Sequence, residues 1–388
     1  MQNFTFHNPT KIFFGKGQIK KRVGTETAKY GKKALFVYGQ QSVKKNGVYN
    51  QVVDALKESG VAFVEWPGVK SNPVLSHVEA GIELACKENV DVILGVGGGS
   101  VIDSAKAIAA GVKANHSVWD FFTFAQPVRD ALPILAVATV SASASEMNNG
   151  TVLTKEDCCH KFGIASPLFQ PKVSVLDPTT LFSLDKKYSA YSSIDAIAHM
   201  LEAYLNTPVA SPVLQDRLHE GLIKTIIEST DIVMKQPDNY EARANIMWGS
   251  VVGFNGITTA GMGFSAFPAH MIEHALSALY DIAHGAGLSI VLPAWMSWAL
   301  ENKKERMARF AREVFGVKEN DPLQAAREGV GQLKSWFSSL GAPVSLKEAN
   351  IPADDIAKIA ANALNNAQMW KMTNYTKEVI SEILTIGQ

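Results

Sequence analysis

The sequence is short of cysteine, of net charge and of long apolar segments. Its 3 cysteines do not make a disulfide framework, because Cys158 and Cys159 are adjacent and cannot easily bridge each other. Lys plus Arg and Asp plus Glu both number 37, which argues against nucleic acid or an anionic membrane surface as a partner. No apolar run reaches the roughly 18 residues of a membrane span, and the N-terminus lacks the pattern of a secretory signal. We therefore expect a cytoplasmic protein that binds small molecules.

The length and the texture of the chain predict two domains. At 388 residues and 47% hydrophobic content, the chain exceeds the usual size of one hydrophobic core. Short β-branched runs alternate with amphipathic stretches up to about residue 180, as in a mostly parallel sheet covered by helices. From Leu184 onward, apolar residues recur at three- and four-residue spacing without a convincing strand. We predict an α/β domain over residues 1–180 and an all-helical domain over residues 181–388.

The strands of the α/β domain are predicted from runs rich in Val, Ile and Leu. The predicted strands are residues 33–39, 61–66, 90–99, 132–140 and 172–177. Residues 4–15 also resemble a strand, since Phe4 and Phe6 alternate with polar residues, and we interpret them as an edge strand or a dimer arm.

A glycine-rich turn follows the strand at residues 90–99. Gly97, Gly98 and Gly99 end the apolar run, and Ser100 stands where a helix N-cap belongs. A bare backbone can approach a phosphate closely, and the N–H groups and dipole of a helix start favour an anion. Three glycines can also simply form a tight turn, and the pattern lies in the third βα unit, unlike the usual dinucleotide fingerprint. Its position between a strand and a helix favours a phosphate site.

Histidines are concentrated in apolar, helix-like segments. His270 and His274 are four residues apart, so their side chains share one helix face, and His284 follows in the same segment. Asp195 and His199 repeat this spacing in another apolar segment, where an unpaired carboxylate is costly to bury. Taken singly, each histidine can be a core residue and Asp195 an N-cap. A divalent cation held by Asp195, His199 and two later histidines explains both segments together.

Two other functions fit parts of this pattern. His270, Glu273 and His274 match H-x-x-E-H, in which two histidines bind zinc and the glutamate is the general base of a peptidase. That interpretation leaves the glycine-rich turn and Asp195 with His199 unexplained. Alternatively, the α/β half is a nucleotide-binding module and the metal is structural, which gives His274 no role. Aldehyde-dependent oxidation of reduced nicotinamide, casein cleavage and nucleotide binding without turnover distinguish the three.

Together, the motifs resemble the iron-containing, or group III, alcohol dehydrogenases, and within them the butanol dehydrogenases and NADPH-dependent aldehyde reductases. The resemblance lies between residues 4 and 300 and rests on NPTKIFFGKG, YGQQSVKKNG, GVGGGSVIDSAK, ATVSASASEMN, VLDP, DAIAH, AGMGFS, HMIEH and AHG. It implies a Rossmann-like α/β domain followed by an all-α domain, in a dehydroquinate synthase-like architecture. We also expect a homodimer.

The resemblance implies a site for a divalent metal, Fe²⁺ or Zn²⁺. The implied ligands are Asp195, His199, His270 and His284. His274 is then the catalytic residue near the substrate and not a ligand, and Glu273 is expected to point elsewhere on the helix. Gly285 is expected to let the chain turn the ring of His284 back toward Asp195 and His199.

The resemblance also implies a nucleotide site. Gly97 of the glycine-rich turn is a predicted contact, and the resemblance adds Gly98, Gly99, Ser100, Asp103, Thr139, Ser143, Asn148 and Lys161. The loop departs from the family pattern T-A-G-T-G-S-E, since Ala142 and Ala144 replace glycines and Ser143 replaces a threonine. The methyl groups of Ala142 and Ala144 are expected to narrow the space within the loop.

The cofactor preference is predicted from the end of the first long strand. A site that prefers NAD commonly places an acidic residue on the ribose 2′-hydroxyl, where it repels a phosphate. Gly39 stands where NAD-preferring relatives carry Asp, and Ser42 with Lys44 or Lys45 can bind a 2′-phosphate. The lysines are equally consistent with solvated loop charges. We predict that NADP(H) is favoured over NAD(H).

These assignments predict hydride transfer between NAD(P)(H) and short- to medium-chain aliphatic alcohols or aldehydes. The metal is expected to polarise the substrate oxygen, and His274 to relay the proton. Phe254, Phe264 and Phe267 are candidates for an apolar pocket. Since no basic residue is placed to bind a substrate carboxylate, hydroxy acids are not expected as substrates.

Overall fold

The structure is a computed structural model that describes residues 1–210 and 212–388. The strands are β1 Lys11–Phe14, β2 Lys33–Tyr38, β3 Ala62–Trp66, β4 Val92–Gly97, β5 Ile134–Ala138, β6 Gly150–Lys155, β7 His160–Ala165 and β8 Val173–Leu176. The helices are α1 Gln18–Thr27, α2 Ser42–Lys45, α3 Val48–Glu58, α4 Leu75–Lys87, α5 Gly99–Gly111, α6 Trp119–Phe122, α7 Lys186–Asn206, α8 Val213–Lys235, α9 Tyr240–Gly253, α10 Pro268–Tyr280, α11 His284–Trp298, α12 Leu300–Phe315, α13 Pro322–Ser339, α14 Ile356–Met369 and α15 Lys377–Ile386. Within the described residues, none of these helices has both the length and the apolar character that a membrane crossing needs.

A six-stranded parallel sheet is the centre of one compact unit, which comprises His7–Leu184 and Pro237–Val251. The strand order is β1-β8-β5-β4-β2-β3. From β2 the chain moves outward to β3, returns to β4 on the other side of β2, and continues to β5 and β8. The order therefore reverses between β2 and β4. In open α/β sheets, ligands bind beyond the carboxyl ends of the strands at such a reversal.

The inner strands read as continuous apolar runs because they are buried on both faces. Every residue of β4 and β5 is buried, as are the last five residues of β2. This explains why runs rich in Val, Ile and Leu located them, and the predicted α/β domain with a mostly parallel sheet is confirmed.

Two segments of the first half of the chain differ from the predicted secondary structure. The N-terminal strand is confined to Lys11–Phe14 at the sheet edge, whereas Phe4 and Phe6 lie outside any strand and are exposed. The antiparallel hairpin of β6 and β7 was not predicted. Its strands mix buried threonines with charged residues, so they show neither a continuous apolar run nor a clean alternation.

The second compact unit comprises Met1–Phe6, Asp185–Gln236 and Val252–Gln388, and among its described residues the regular elements are helices, as predicted for the second half. Helix α7 is buried from Ser189 to Leu205, which makes it the central helix of this unit. The grouping differs from a simple division at residue 180. Gln2 N–H donates to the Gly261 carbonyl, which ties the N-terminal residues to the helical unit. Met247 and Val251 of α9 instead pack on Leu176 and Leu181 in the sheet unit.

Candidate active site

Helix α7 presents a row of polar side chains within an apolar helix. Asp195, His199 and Glu202 are spaced by four and three residues, so they lie on one face. Asp185 caps the helix by accepting a hydrogen bond from the Tyr188 N–H at 2.7 Å, which leaves Asp195 three turns inside. Asp195 is therefore not an N-cap.

Three imidazoles converge on one oxygen of Asp195. Oδ1 lies 3.1 Å from His199 Nδ1, 3.5 Å from His270 Nε2 and 3.6 Å from His284 Nε2. We call Asp195, His199, His270 and His284 the Asp195 cluster. Asp195 Oδ1 and His270 Nε2 are both buried without a hydrogen-bond partner in the described chain. Buried polar atoms without partners are rare and indicate a missing ligand or a strained site.

The tautomer of His199 follows from its neighbour. Its Nδ1 lies 2.9 Å from the carbonyl oxygen of Asp195, which can only accept, so Nδ1 carries the hydrogen. Nε2 is then the atom with a lone pair to bind a ligand. The His199 ring packs against Phe254, with ring centroids 4.2 Å apart. The ring centroids of Phe267 and His270 are 5.8 Å apart. Phe264, which was also expected at the pocket, is 81% exposed.

Glu202 orients His270, a role that the sequence analysis missed. Its Oε1 accepts from the Ala269 N–H at 2.5 Å and its Oε2 from the His270 N–H at 3.3 Å, so the carboxylate caps the start of α10. Oε2 also accepts from His270 Nδ1, which leaves Nε2 facing Asp195. The signal was present in the sequence, because Glu202 follows His199 by three residues on the same face of an apolar helix.

Glu273 holds His284 in the same manner, contrary to the expectation that it points elsewhere. Its Oε2 accepts from His284 Nδ1 and its Oε1 accepts from Ser277 Oγ. Both carboxylate oxygens are therefore engaged, and the residue is fully buried. A peptidase base must instead be available to a water molecule, so this geometry disfavours the H-x-x-E-H interpretation.

The chain reverses before His284 and not at Gly285. Asp281 adopts a left-handed conformation with φ of 50°, and His284 is the first residue of α11. Gly285 serves a different purpose, since a Cβ there would lie 2.1 Å from the backbone oxygen of Tyr191 on α7. The glycine lets α11 approach α7 closely, and this contact brings His284 to Asp195.

His274 lies next to the Asp195 cluster. It is buried on α10, and its ring centroid is 5.6 Å from that of His284 and 5.3 Å from that of Trp370. The donor atoms of Asp195, His199 and His270 form one group within 4.8 Å, whereas His274 falls in a second group with Glu273 and His284. The structure thus places His284 beside both Asp195 Oδ1 and His274, and His274 lies outside the group that contains Asp195.

Burial and charge shift the pKa values of the cluster in opposite directions. Burial alone raises the pKa of Asp195, but the charges of His199 and His284 hold it well below its ordinary range. Burial lowers the pKa of His199, and His270 lowers it further. For His270, burial is outweighed by the carboxylate of Glu202, which raises the pKa to about 9. The carboxylate is therefore fully ionised, as a cation ligand has to be.

The glycine-rich turn joins β4 to α5 in the sheet unit. Gly97 ends the strand, Gly98 is the N-cap and Gly99 begins the helix. Ser100 is therefore not the N-cap, as the sequence had suggested, but the second helical residue, and its Oγ donates to the Ser71 carbonyl oxygen. Tyr38, at the end of β2, pairs with Val96 of β4, so Gly39 and this turn follow neighbouring strands at the point where the strand order reverses.

The predicted loop residues form one hydrogen-bonded assembly with α5. Asp103 accepts from Ser145 Oγ at 2.5 Å and from the Val152 N–H at 3.1 Å, so its carboxylate fixes the loop. Asn148 donates to the Ser143 carbonyl oxygen at 2.8 Å. The fully buried Lys106, which the sequence analysis did not single out, donates to the carbonyl oxygens of Asn148 and Gly150.

Burial perturbs the ionisable groups behind this loop. It lowers the pKa of Lys106 to about 8 and raises the pKa of Glu146 to about 7. Burial also raises the pKa of Asp103, an effect that Lys106 opposes.

The remaining predicted nucleotide contacts lie in the sheet unit. Thr139 follows β5, and its N–H donates to the Gly97 carbonyl oxygen at 2.9 Å. Lys161 lies on β7 and donates to Asn72 Oδ1 at 3.0 Å. Ser42 begins α2, directly after the end of β2, and is exposed.

Ala144 has an unusual backbone conformation, and this predicts unequal responses to glycine substitution. Its φ is 51° although it is not glycine, which costs about 1–2 kcal/mol. The variant Ala144→Gly relieves that strain, but it also loses the buried methyl group, at a cost of about 0.8 kcal/mol. The unfolded chain of the glycine variant is more flexible, which adds a further cost of about 0.4–1 kcal/mol, as in other Ala-to-Gly changes. We expect Ala144→Gly to change the free energy of unfolding by less than about 0.5 kcal/mol.

Ala142→Gly is the matched control, because Ala142 is not among the residues with positive φ. It should destabilise by about 0.4–1 kcal/mol, since no strain is relieved. Denaturant unfolding of both variants measures the difference. If Ala144→Gly were the more destabilising of the two, Ala144 would not be strained.

Comparison with known proteins gives the same family for both parts of the chain. A family model described as "Iron-containing alcohol dehydrogenase" matches residues 9–178, and one described as "Fe-containing alcohol dehydrogenase family, C-terminal" matches residues 189–386. A probable NADH-dependent butanol dehydrogenase of Bacillus subtilis is 39% identical over 99% of both chains. An NADPH-dependent aldehyde reductase of Escherichia coli is 33% identical over 92% of this chain and 91% of its own. The crystal structure of NADH-dependent butanol dehydrogenase A from Thermotoga maritima is 44% identical, with a TM-score of 0.96 over 100% of this chain and 99% of that chain.

Proposed function

Because the chain belongs to the iron-containing alcohol dehydrogenase family, we propose that the Asp195 cluster binds one divalent metal ion, Fe²⁺ or Zn²⁺. The protein is an NAD(P)-dependent alcohol dehydrogenase or aldehyde reductase. Its proposed substrates are short- to medium-chain aliphatic alcohols and aldehydes. The homodimer expected from the sequence remains a prediction.

One observation supports the metal assignment above the others: buried donor atoms converge without hydrogen bonds. The separations of 3.5 and 3.6 Å from Asp195 Oδ1 to His270 Nε2 and His284 Nε2 are too long for hydrogen bonds. Two ligands that each lie about 2.1 Å from one ion would be about 3.0–3.4 Å apart, which is close to these separations. Three imidazoles and one carboxylate are also a donor set that suits Zn²⁺ and Fe²⁺. Turnover of butanal by metal-loaded protein, compared with an Asp195→Ala variant, tests the assignment.

The residues of the helical unit have separable roles in the proposed reaction. A divalent metal supplies Lewis-acid polarisation of the substrate oxygen. Glu202 and Glu273 fix the rings of His270 and His284, respectively. Phe254 and Phe267 cover the cluster with apolar surface, which limits the access of water. His274, next to the cluster but not around Asp195 Oδ1, is proposed to accept or donate the proton.

We propose further that NADPH is preferred over NADH. The relatives do not decide this, since the names of the Bacillus and Escherichia proteins specify different cofactors. In this chain no carboxylate follows β2, because the next residues are Gly39 and Gln40. Lys44 lies over the rings of Tyr38 and Tyr49, at 5.4 and 4.9 Å from their centroids. Ser42 and Lys45 are exposed beyond the strand end and are the proposed partners of a 2′-phosphate.

A Gly39→Asp variant tests this preference. Gly39 has no positive φ, and a Cβ there would meet its nearest atom, the Val69 carbonyl oxygen, at 3.7 Å, so an aspartate fits. Since juxtaposed like charges cost several kcal/mol, kcat/KM for NADPH should fall at least about tenfold, with a smaller change for NADH. Gly39→Asn is the control of equal size without charge and should keep the preference. A higher kcat/KM for NADH in the unmodified protein would mean that the strand end was misinterpreted.

A further inference from the structure

Glu273 is a buried carboxylate with two directed hydrogen bonds. It lies on α10 and is 0% exposed. His284 Nδ1 donates to one of its oxygens and Ser277 Oγ donates to the other. A fully buried carboxylate is costly unless both oxygens are hydrogen-bonded, so these two hydrogen bonds stabilise Glu273 in this position.

The helix that carries His284 also makes room for Glu273. A Cβ at Gly287 would lie 2.6 Å from Glu273 Oε1 and 2.7 Å from its Cγ. Gly287 is one turn after His284 on α11, so the same helix contributes the imidazole and the space that the carboxylate occupies. The contact between α10 and α11 is therefore built around this side chain.

Among the Asp195 cluster, His284 most needs an orienting partner. Its side chain is 25% exposed, whereas those of His199, His270 and Asp195 are 10%, 6% and 7% exposed. Close packing restrains the buried rings, but a partly exposed ring can rotate. A hydrogen bond from Nδ1 to a carboxylate fixes the tautomer and directs Nε2 to the opposite side, where Asp195 Oδ1 lies.

We propose that Glu273 is a positioning residue that holds His284 Nε2 in the metal site and increases its basicity as a ligand. This inference rests on the metal assignment under the proposed function. The rival role for Glu273 is that of a ligand, because its donor atoms, with those of His274 and His284, lie within 4.8 Å of one another. The direct hydrogen bond between Glu273 Oε2 and His284 Nδ1 argues against it, since two ligands of one ion are about 3.0–3.4 Å apart.

Zn²⁺ affinity of the whole chain, measured by competition with a chromophoric chelator, tests the proposal. Loss of such a partner typically weakens metal binding about 10–100-fold, and we expect a decrease of this size in Glu273→Ala. Glu273→Gln should show a smaller decrease, because the amide oxygen still accepts from Nδ1 but carries no charge. In both variants the stoichiometry should stay at that of the unmodified protein. The visible spectrum of the Co²⁺-loaded protein should change, since the imidazole is no longer held in one orientation.

Two controls separate positioning from packing. Ser277→Ala removes one partner of Glu273 but leaves its bond to His284, and should lower Zn²⁺ affinity less than Glu273→Ala does. The thermal midpoint of the metal-free variants measures the packing contribution. If Glu273→Ala lowered that midpoint while Zn²⁺ affinity stayed unchanged, Glu273 would be merely structural and the proposal would be overturned.

The remaining outcomes are also distinct. Two Zn²⁺ ions per chain, falling to one in Glu273→Ala, would make Glu273 a ligand and overturn the positioning role. Unchanged Zn²⁺ affinity in Asp195→Ala would overturn the metal assignment itself. Loss of binding in Asp195→Ala without any loss in Glu273→Ala would remove only the role of Glu273.

Discussion

Replacing Asp195 with alanine is expected to abolish metal binding and turnover while the sheet unit continues to bind nucleotide. The side chain supplies the one oxygen toward which His199, His270 and His284 converge. Without it, a cation in this buried site would have no anionic ligand among the four residues of the Asp195 cluster. The glycine-rich turn belongs to the other compact unit, so its fold does not depend on this carboxylate.

The size of the effect follows from what the metal contributes. A Lewis acid provides several kcal/mol of transition-state stabilisation, so kcat should fall at least about 10³-fold. Elemental analysis measures the metal content, and the fluorescence of bound NADPH measures the nucleotide site. Asp185→Ala is the matched control on the same helix, since Asp185 caps α7. It should cost about 1 kcal/mol of stability and leave metal content unchanged. Full activity of Asp195→Ala would contradict the metal assignment.

The strands of the sheet that could be predicted from the sequence are those buried on both faces. Strands β2, β4 and β5 are buried on both faces, so their residues are apolar whatever their direction. The hairpin of β6 and β7 could not be predicted, because its buried polar residues form hydrogen bonds with residues that are distant in the sequence. Lys161 is an example, since it bonds to Asn72 far away in the chain. Such partners are a tertiary property that no local pattern contains.

The candidate site was predictable where its residues lie on one helix. The spacing of Asp195 with His199, and of His270 with His274, places each pair on one face. His284 was a different case, because its position depends on a close approach of α11 to α7 at Gly285. Only the family resemblance had assigned it. The direction of Glu273 was wrongly expected because it depends on the space left by Gly287 on a neighbouring helix.

The role of Glu273 changes which variant separates a dehydrogenase from a peptidase. If Glu273 pointed elsewhere on the helix, as the sequence analysis expects, Glu273→Gln would change little in a dehydrogenase. Because Glu273 holds His284, Glu273→Gln should weaken metal binding in a dehydrogenase. It would also inactivate a peptidase, so it no longer distinguishes the two functions. His274 does, because only the peptidase interpretation makes it a ligand.

Replacing His274 with alanine or phenylalanine is expected to lower aldehyde reduction about 10²–10³-fold while metal content stays near that of the unmodified protein. The loss corresponds to one general acid–base group. Metal content is retained because Asp195, His199, His270 and His284 supply the proposed ligands without His274. Its ring packs against those of His284 and Trp370, so phenylalanine preserves much of this packing and controls for a cavity.

His270→Ala is the matched comparison for the His274 variants. The two histidines are four residues apart on one face of α10 and are equally buried. His270→Ala should lose both metal and activity, because His270 Nε2 faces Asp195 Oδ1, whereas the His274 variants should lose activity alone. Elemental analysis and kcat, measured on the same samples, report the two losses separately. If the His274 variants purified without metal, His274 would be a ligand and the roles along α10 would have to be reassigned.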